Sequence, residues 1–218
     1  MAEKKNYFPE AEAKTTITTD LFERMFFEDL EERRLKLYVP IYPITAISVA
    51  SSQILLASDI VDHILRYNRE DKGLPVEERK PIKLLINSPG GDIFEGMSLM
   101  STIMLSKTPV WAINMAMEAS DALYVGMVCH RRFALPYTTF LLHDGEAGAA
   151  DSYSKFQDLA KYLDVVNGDV LKTLLMKYTK IDELTYKERH RDEWYMQPEE
   201  AIKNGICDEI LTDLSLLL

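Results

Sequence analysis

Ile82-Lys83-Leu84-Leu85-Ile86-Asn87-Ser88-Pro89-Gly90-Gly91 is an apolar run of strand length that stops in a Ser-Pro-Gly-Gly turn. Proline cannot extend a ladder and glycine permits backbone that other residues avoid, so a strand over 82–87 ends there. Directly beyond, Met97, Met100, Ile103 and Met104 recur at helical spacing over 93–106. The same alternation continues with a strand over 110–114, a helix over 119–128, and strands over 132–135 and 138–143 split by Pro136. Upstream lie a strand over 35–41 and a helix over 52–67, with Ile54, Leu55, Ile60, Val61, Ile64 and Leu65 expected on its buried face. The pattern predicts an α/β fold of right-handed βαβ-type units around a mostly parallel sheet. Functional groups in such sheets gather at the carboxyl ends of strands. The Gly-Gly turn and the segment leading to Ser120 both fall there.

Composition narrows the classes. The 218 residues, 47% hydrophobic and 28% charged, suit one domain with a sizeable core. A net charge of −10 argues against a general nucleic-acid binder. No apolar run approaches bilayer length, and Met1-Ala2-Glu3-Lys4-Lys5-Asn6 lacks the apolar core of a signal peptide. Cys129 and Cys207 lie in apolar segments and read as buried free thiols, which favours a reducing, cytoplasmic setting. His63, His130, His143 and His190 show no paired ligand spacing, so no metal is expected.

Outside the sheet, residues 1–18 read as a mobile polar arm. An amphipathic helix is expected from residue 19 or 20, carrying Leu21, Phe22, Met25, Phe26 and Leu30. Residues 68–80 form a charged loop. The small-residue run at 145–150 leads into a long helix over 151–178 with Phe156, Leu159, Leu163, Val166, Val170, Leu171 and Leu174 on one stripe. That stripe either packs on the molecule's own sheet or serves oligomerisation.

Three further stretches carry chemistry. Glu118-Ala119-Ser120-Asp121 holds a serine among small residues, Leu141-Leu142-His143-Asp144 ends an apolar strand in histidine, and Arg191-Asp192-Glu193-Trp194 adds carboxylates. A serine hydroxyl needs an adjacent base before it attacks a carbonyl, and that base needs a carboxylate to orient it. Taken singly, Ser120 reads as a helix-starting residue and His143 as a structural one. Together they are the parts of a hydrolase in the chain order Ser, His, acid.

Leu85-Ile86-Asn87-Ser88-Pro89-Gly90-Gly91 with Gly96-Met97, Ala119-Ser120, Arg132-Phe133-Ala134-Leu135-Pro136, Leu142-His143, Met196-Gln197-Pro198-Glu199-Glu200-Ala201 and Gly205-Ile206-Cys207-Asp208 resemble the proteolytic subunit of the Clp protease, ClpP, within the crotonase-like superfamily. The match spans about residues 21–211. The resemblance implies a spiral of ββα units over 19–212, with 213–218 as a short tail and a projecting helical handle at about 145–178. It further implies a homo-oligomer of seven-membered rings stacked face to face, and an ATP-driven AAA+ unfoldase feeding unfolded polypeptide into the chamber for protein quality control. It makes Ser120 the nucleophile and His143 the general base. The family's Arg-Asp pair makes Asp192 the acid, whereas counting back from Glu199-Glu200-Ala201 makes it Glu193. Backbone N–H groups of Gly91, or Gly90, and of Asp121 would form the oxyanion hole, and Asp92-Ile93 would pair with substrate as an edge strand. No metal or organic cofactor is implied.

The sequence departs from the family around the nucleophile: Ala116 and Ala122 stand where glycines are usual, Asp121 where Met is, and the charged Glu118 sits two before the serine. An ionised Asp121 facing inward, about 6 Å from the oxyanion, would oppose it by roughly 3 kcal/mol at an effective dielectric near 20, or about two orders of magnitude in rate. Two rival readings follow. One is a catalytically silent ring subunit; the other is a crotonase-type acyl-CoA enzyme with the same oxyanion geometry.

Overall fold

One seven-stranded sheet organises the computed structural model, which describes residues 28–38, 40–41, 56–145, 152–189 and 191–218. The arm expected over 1–18, residues 19–27 of the first helix, Ile54, Leu55, His190 and the run 146–150 lie outside the described residues. Strands β1 (Arg34–Leu37), β2 (Ile82–Ser88), β3 (Val110–Ala119), β4 (Arg131–Ala134) and β7 (Glu209–Ile210) stand in the order β1-β2-β3-β4-β7, all parallel. β5 (Thr139–Leu142) adds in parallel to the end of β3, and β6 (Trp194–Met196) lies antiparallel on β5. The helices are α1 (Ala57–Glu70), α2 (Ile93–Leu105), α3 (Asp121–Met127), α4 (Tyr153–Val165), α5 (Lys172–Tyr178), α6 (Glu183–Arg189) and α7 (Pro198–Lys203). This is the mostly parallel α/β architecture that the alternation of elements predicts.

The central strands are apolar on both faces because both faces are covered. Successive residues alternate sides, so Leu84, Ile86 and Ala112 join α1, α2 and α3 in the main core. Leu85 and Ile113 face the other way and form a smaller cluster with Phe133 and Leu211, against which Leu216 and Leu217 pack. Arg34 Nη1 donates to the Leu217 carbonyl at 3.1 Å and fastens that tail. On α1 the buried residues are Ala57, Ile60, Ile64 and Tyr67. Leu65, expected on that face, is 52% exposed, since one residue beyond Ile64 turns it about 100° away.

β3 is twice as long as expected. Met115-Ala116-Met117-Glu118 consists of good helix formers, yet it is bonded from both sides. Ser88 of β2 pairs with Glu118 past a register shift, and Thr139, Phe140 and Leu141 of β5 pair with Met117, Glu118 and Ala119. Ladder partners outvote local propensity, and the helix expected from 119 begins only at Asp121.

The long helix runs as α4, a π-helical turn over Val166–Leu171 and α5. α4 buries no side chain, and burial begins at Val166. The first half keeps its side chains largely open to solvent, with Leu159 and Leu163 turned to the cleft that Ser120 lines. Among the described residues no helix is long and apolar enough to cross a membrane.

Candidate active site

Ser120 is the joint between β3 and α3. Its backbone sits at φ 55°, ψ −128°, a region that costs a side-chain-bearing residue about 1–3 kcal/mol. Hydrogen bonds hold the bend: Ser120 N–H donates to the Leu141 carbonyl at 2.9 Å, and the Ser120 carbonyl accepts from Leu123 N–H at 3.0 Å. The result is a strand-to-helix elbow that exposes a hydroxyl at the carboxyl end of a central strand.

The Gly-Gly turn presses against this elbow. Gly90 has φ +90°, and a Cβ there would lie 2.6 Å from Ser120 Cβ and 2.9 Å from Asp121 N. Glycine is required for the two turns to touch. Gly90 N–H donates to Ser88 Oγ at 3.2 Å, whereas Gly91 lines the cleft shared with Ser120, Asp121 and His143. The N–H of Asp121, at the first position of α3, belongs to the set that a helix leaves without an internal acceptor.

His143 leaves the end of β5, and β6 brings it a carboxylate. The antiparallel register pairs Leu142 with Trp194, so the next step along each strand sets His143 opposite Glu193. His143 Nδ1 and Glu193 Oε1 are 2.8 Å apart. Trp194 Nε1 donates to Glu200 Oε1 at 2.9 Å and pins that segment. Asp192, the carboxylate preferred from the Arg-Asp pair, lies 3.7 Å from Arg189 Nη1 instead. His143 Nε2 is buried and has no hydrogen-bond partner among the described residues. Ser120 and His143 thus line one cleft of about 310 Å³ without a hydrogen bond between them.

Asp92 and Ile93 are not a free strand edge. Asp92 Oδ1 accepts from Phe94 N–H at 3.0 Å and Glu95 N–H at 3.1 Å, so it caps α2, and Ile93 is already helical. The N–H of Asp92 is taken by the Ile41 carbonyl at 2.7 Å. An aspartate placed before a helical run is an N-cap by preference, and that role excludes these two residues from extended pairing.

The two unusual acids are both buried. Burial pushes the Glu118 carboxyl well above the usual carboxylate range, with the nearby Arg132 guanidinium opposing the shift. Burial, and then the field of Asp92, push Asp121 up to about 8. Asp121 is therefore mostly uncharged at pH 7, which removes the ionised neighbour that would oppose an oxyanion. Elsewhere, His130 Nδ1 accepts from Val110 N–H at 3.1 Å and serves the fold. His63 stacks on Tyr67 with centroids 6.2 Å apart. Tyr124 and Tyr186, which the sequence did not single out, also line the cleft. Tyr124 follows Ser120 by one helical turn, and that spacing was the available signal.

A family model for Clp protease matches residues 44–213. The chain belongs to the Clp protease family. Among its relatives, the ATP-dependent Clp protease proteolytic subunit of Deinococcus radiodurans is 31% identical over 164 residues, covering 72% of this chain and 74% of that protein. The ATP-dependent Clp protease proteolytic subunit 2 of Thermobifida fusca is 28% identical over 160 residues, 72% and 75% of the respective chains. The Ser120 elbow, the Gly90 contact and the His143–Glu193 pair all fall inside the matched Clp protease region, as do the buried Glu118 and Asp121.

Proposed function

We propose that this Clp protease family member is a serine endopeptidase subunit that hydrolyses unfolded polypeptide through an acyl-enzyme. The observation that carries the reading is an imidazole backed by Glu193 in the same cleft as a serine on a strained elbow. In this reading Ser120 Oγ attacks the scissile carbonyl carbon as His143 Nε2 takes its proton. Glu193 holds Nδ1–H and favours the imidazolium that forms. The N–H groups of Gly91 and Asp121 receive the oxyanion, and His143 returns the proton to the leaving amine. Water then attacks the acyl-Ser120 ester by the reverse proton route. The names of the relatives support an ATP-driven partner that delivers substrate. In this reading the subunit works in an assembly of stacked rings, with the handle as a contact between copies, in cytoplasmic protein quality control.

One observation favours a second reading, a silent ring subunit: no hydrogen bond joins Ser120 to His143 Nε2. Fluorophosphonate labelling separates the two. An active site labels in the wild type and loses labelling in Ser120→Ala and in His143→Ala, since the first lacks the nucleophile and the second its base. An assembled, folded wild type that does not label supports the silent subunit.

A further inference from the structure

Asp121 directly follows the proposed nucleophile, and the mechanism above uses only its backbone. Its side chain is 4% exposed, and both carboxyl oxygens are buried without a hydrogen-bond partner among the described residues. The carboxyl occupies a definite seat: a Cβ on Gly96 would collide with Oδ2, so it fills the notch that Gly96 leaves near the start of α2. α2 springs from the Gly90-Gly91 turn and α3 springs from Ser120. The two proposed oxyanion donors therefore belong to the starts of two different helices, and Asp121 is the side chain that seats one helix on the other.

We propose that Asp121 is a positioning residue, a carboxyl that must sit uncharged against Gly96 for the two halves of the oxyanion pocket to stay in register. This rests on the serine peptidase reading. A neutral carboxyl tolerates an apolar seat, whereas a carboxylate with neither hydrogen bond nor cation does not. Asp92 faces it from the head of α2, Tyr124 from its own helix, His143 and Asp144 from beyond β5, and Tyr186 from α6. Burial, then Tyr186, Asp121 and Asp144, hold the Tyr124 hydroxyl above its usual range. No lysine or arginine lines this cleft among the described residues. An ionised Asp121 accordingly finds no lysine or arginine beside it and leaves its seat, carrying its own N–H and Ser120 out of line. Its ionisation near pH 8 makes the clamp sensitive to pH.

The test is the second-order rate of fluorophosphonate labelling of the full chain at pH 7 and pH 9, in wild type and in Asp121→Asn. The neutral fraction of Asp121 falls about tenfold between those values, so the wild-type rate at pH 9 is expected about tenfold below what the Asn variant's own pH ratio predicts. Gly96→Ala unseats the carboxyl without removing it and is expected to slow labelling at both pH values. Equal pH ratios in wild type and Asp121→Asn overturn the clamp and leave the peptidase reading standing. Absence of labelling in every form at both pH values overturns the peptidase reading and the clamp with it.

Discussion

Substituting Asp192 and Glu193 one at a time separates two carboxylates that adjoin in sequence and diverge in space. Glu193→Gln keeps the shape but removes the charge that faces His143 Nδ1, and labelling of Ser120 is expected to slow by about two orders of magnitude. Asp192→Asn removes only an exposed partner of Arg189, and its rate is expected within about twofold of wild type, as for surface ion pairs generally. Equal losses in the two variants would show that Glu193 does not act through His143. The elbow at Ser120 and the histidine at the end of β5 were legible in the sequence, because turn chemistry and apolar strands mark them locally. The choice between Asp192 and Glu193 stayed open there. The β5–β6 register is what brings Glu193 to His143, and a slip of one residue exchanges faces.

Among elements, the junction of β1 with α1 is held by the buried ion pair of Arg33 with Asp71. Arg33, at φ 53°, donates from Nη1 and Nη2 to Asp71 at 2.7 and 2.8 Å, and Thr108 Oγ1 adds a third bond at 2.8 Å. Asp71 is buried. Asp71→Asn leaves Arg33 only the more exposed Glu70, 3.8 Å from Nη2, and urea unfolding at pH 7 is expected to show a loss of about 3 kcal/mol. The Arg33 hydrogen bond, opposed by burial, holds the Asp71 carboxyl below its usual range. A carboxyl lowered on folding stabilises above its unfolded pKa and loses that contribution as pH falls through the folded value. The gap between wild type and Asp71→Asn should therefore be full at pH 7 and shrink below pH 4. A gap that persists unchanged into acid would assign the loss to packing. The length of β3 belongs to this scale too. Its second half carries helix-forming residues and becomes strand because β2 and β5 flank it, which no local window contains.

For the whole molecule, the exposed side chains of α4 are the telling feature. Tyr153 is 77% exposed, and Phe156 and Tyr162 are also exposed. Phe94, at the start of α2, stacks on Tyr162 with centroids 6.2 Å apart. Apolar side chains grouped and exposed on one helix suit contact with another copy. Sedimentation of the wild type is expected to give a large oligomer rather than the 25.0 kDa chain. Phe156→Glu should shift the distribution toward smaller species and lower labelling in step. A wild type that sediments as the single chain would count against an enclosed chamber.

Sequence alone determined the alternation of strand and helix, the parallel sheet, the Gly-Gly turn and the serine-bearing segment at strand ends. These follow from short-range rules: side-chain periodicity, proline and glycine geometry, and the chemistry of a few residue types. Tertiary structure decided which carboxylate meets His143, how far β3 runs and that Asp92 caps a helix. It also decided that burial raises the Asp121 carboxyl to about 8. The reason is common to these outcomes: register, burial and the field at a buried group depend on atoms brought together from distant parts of the chain.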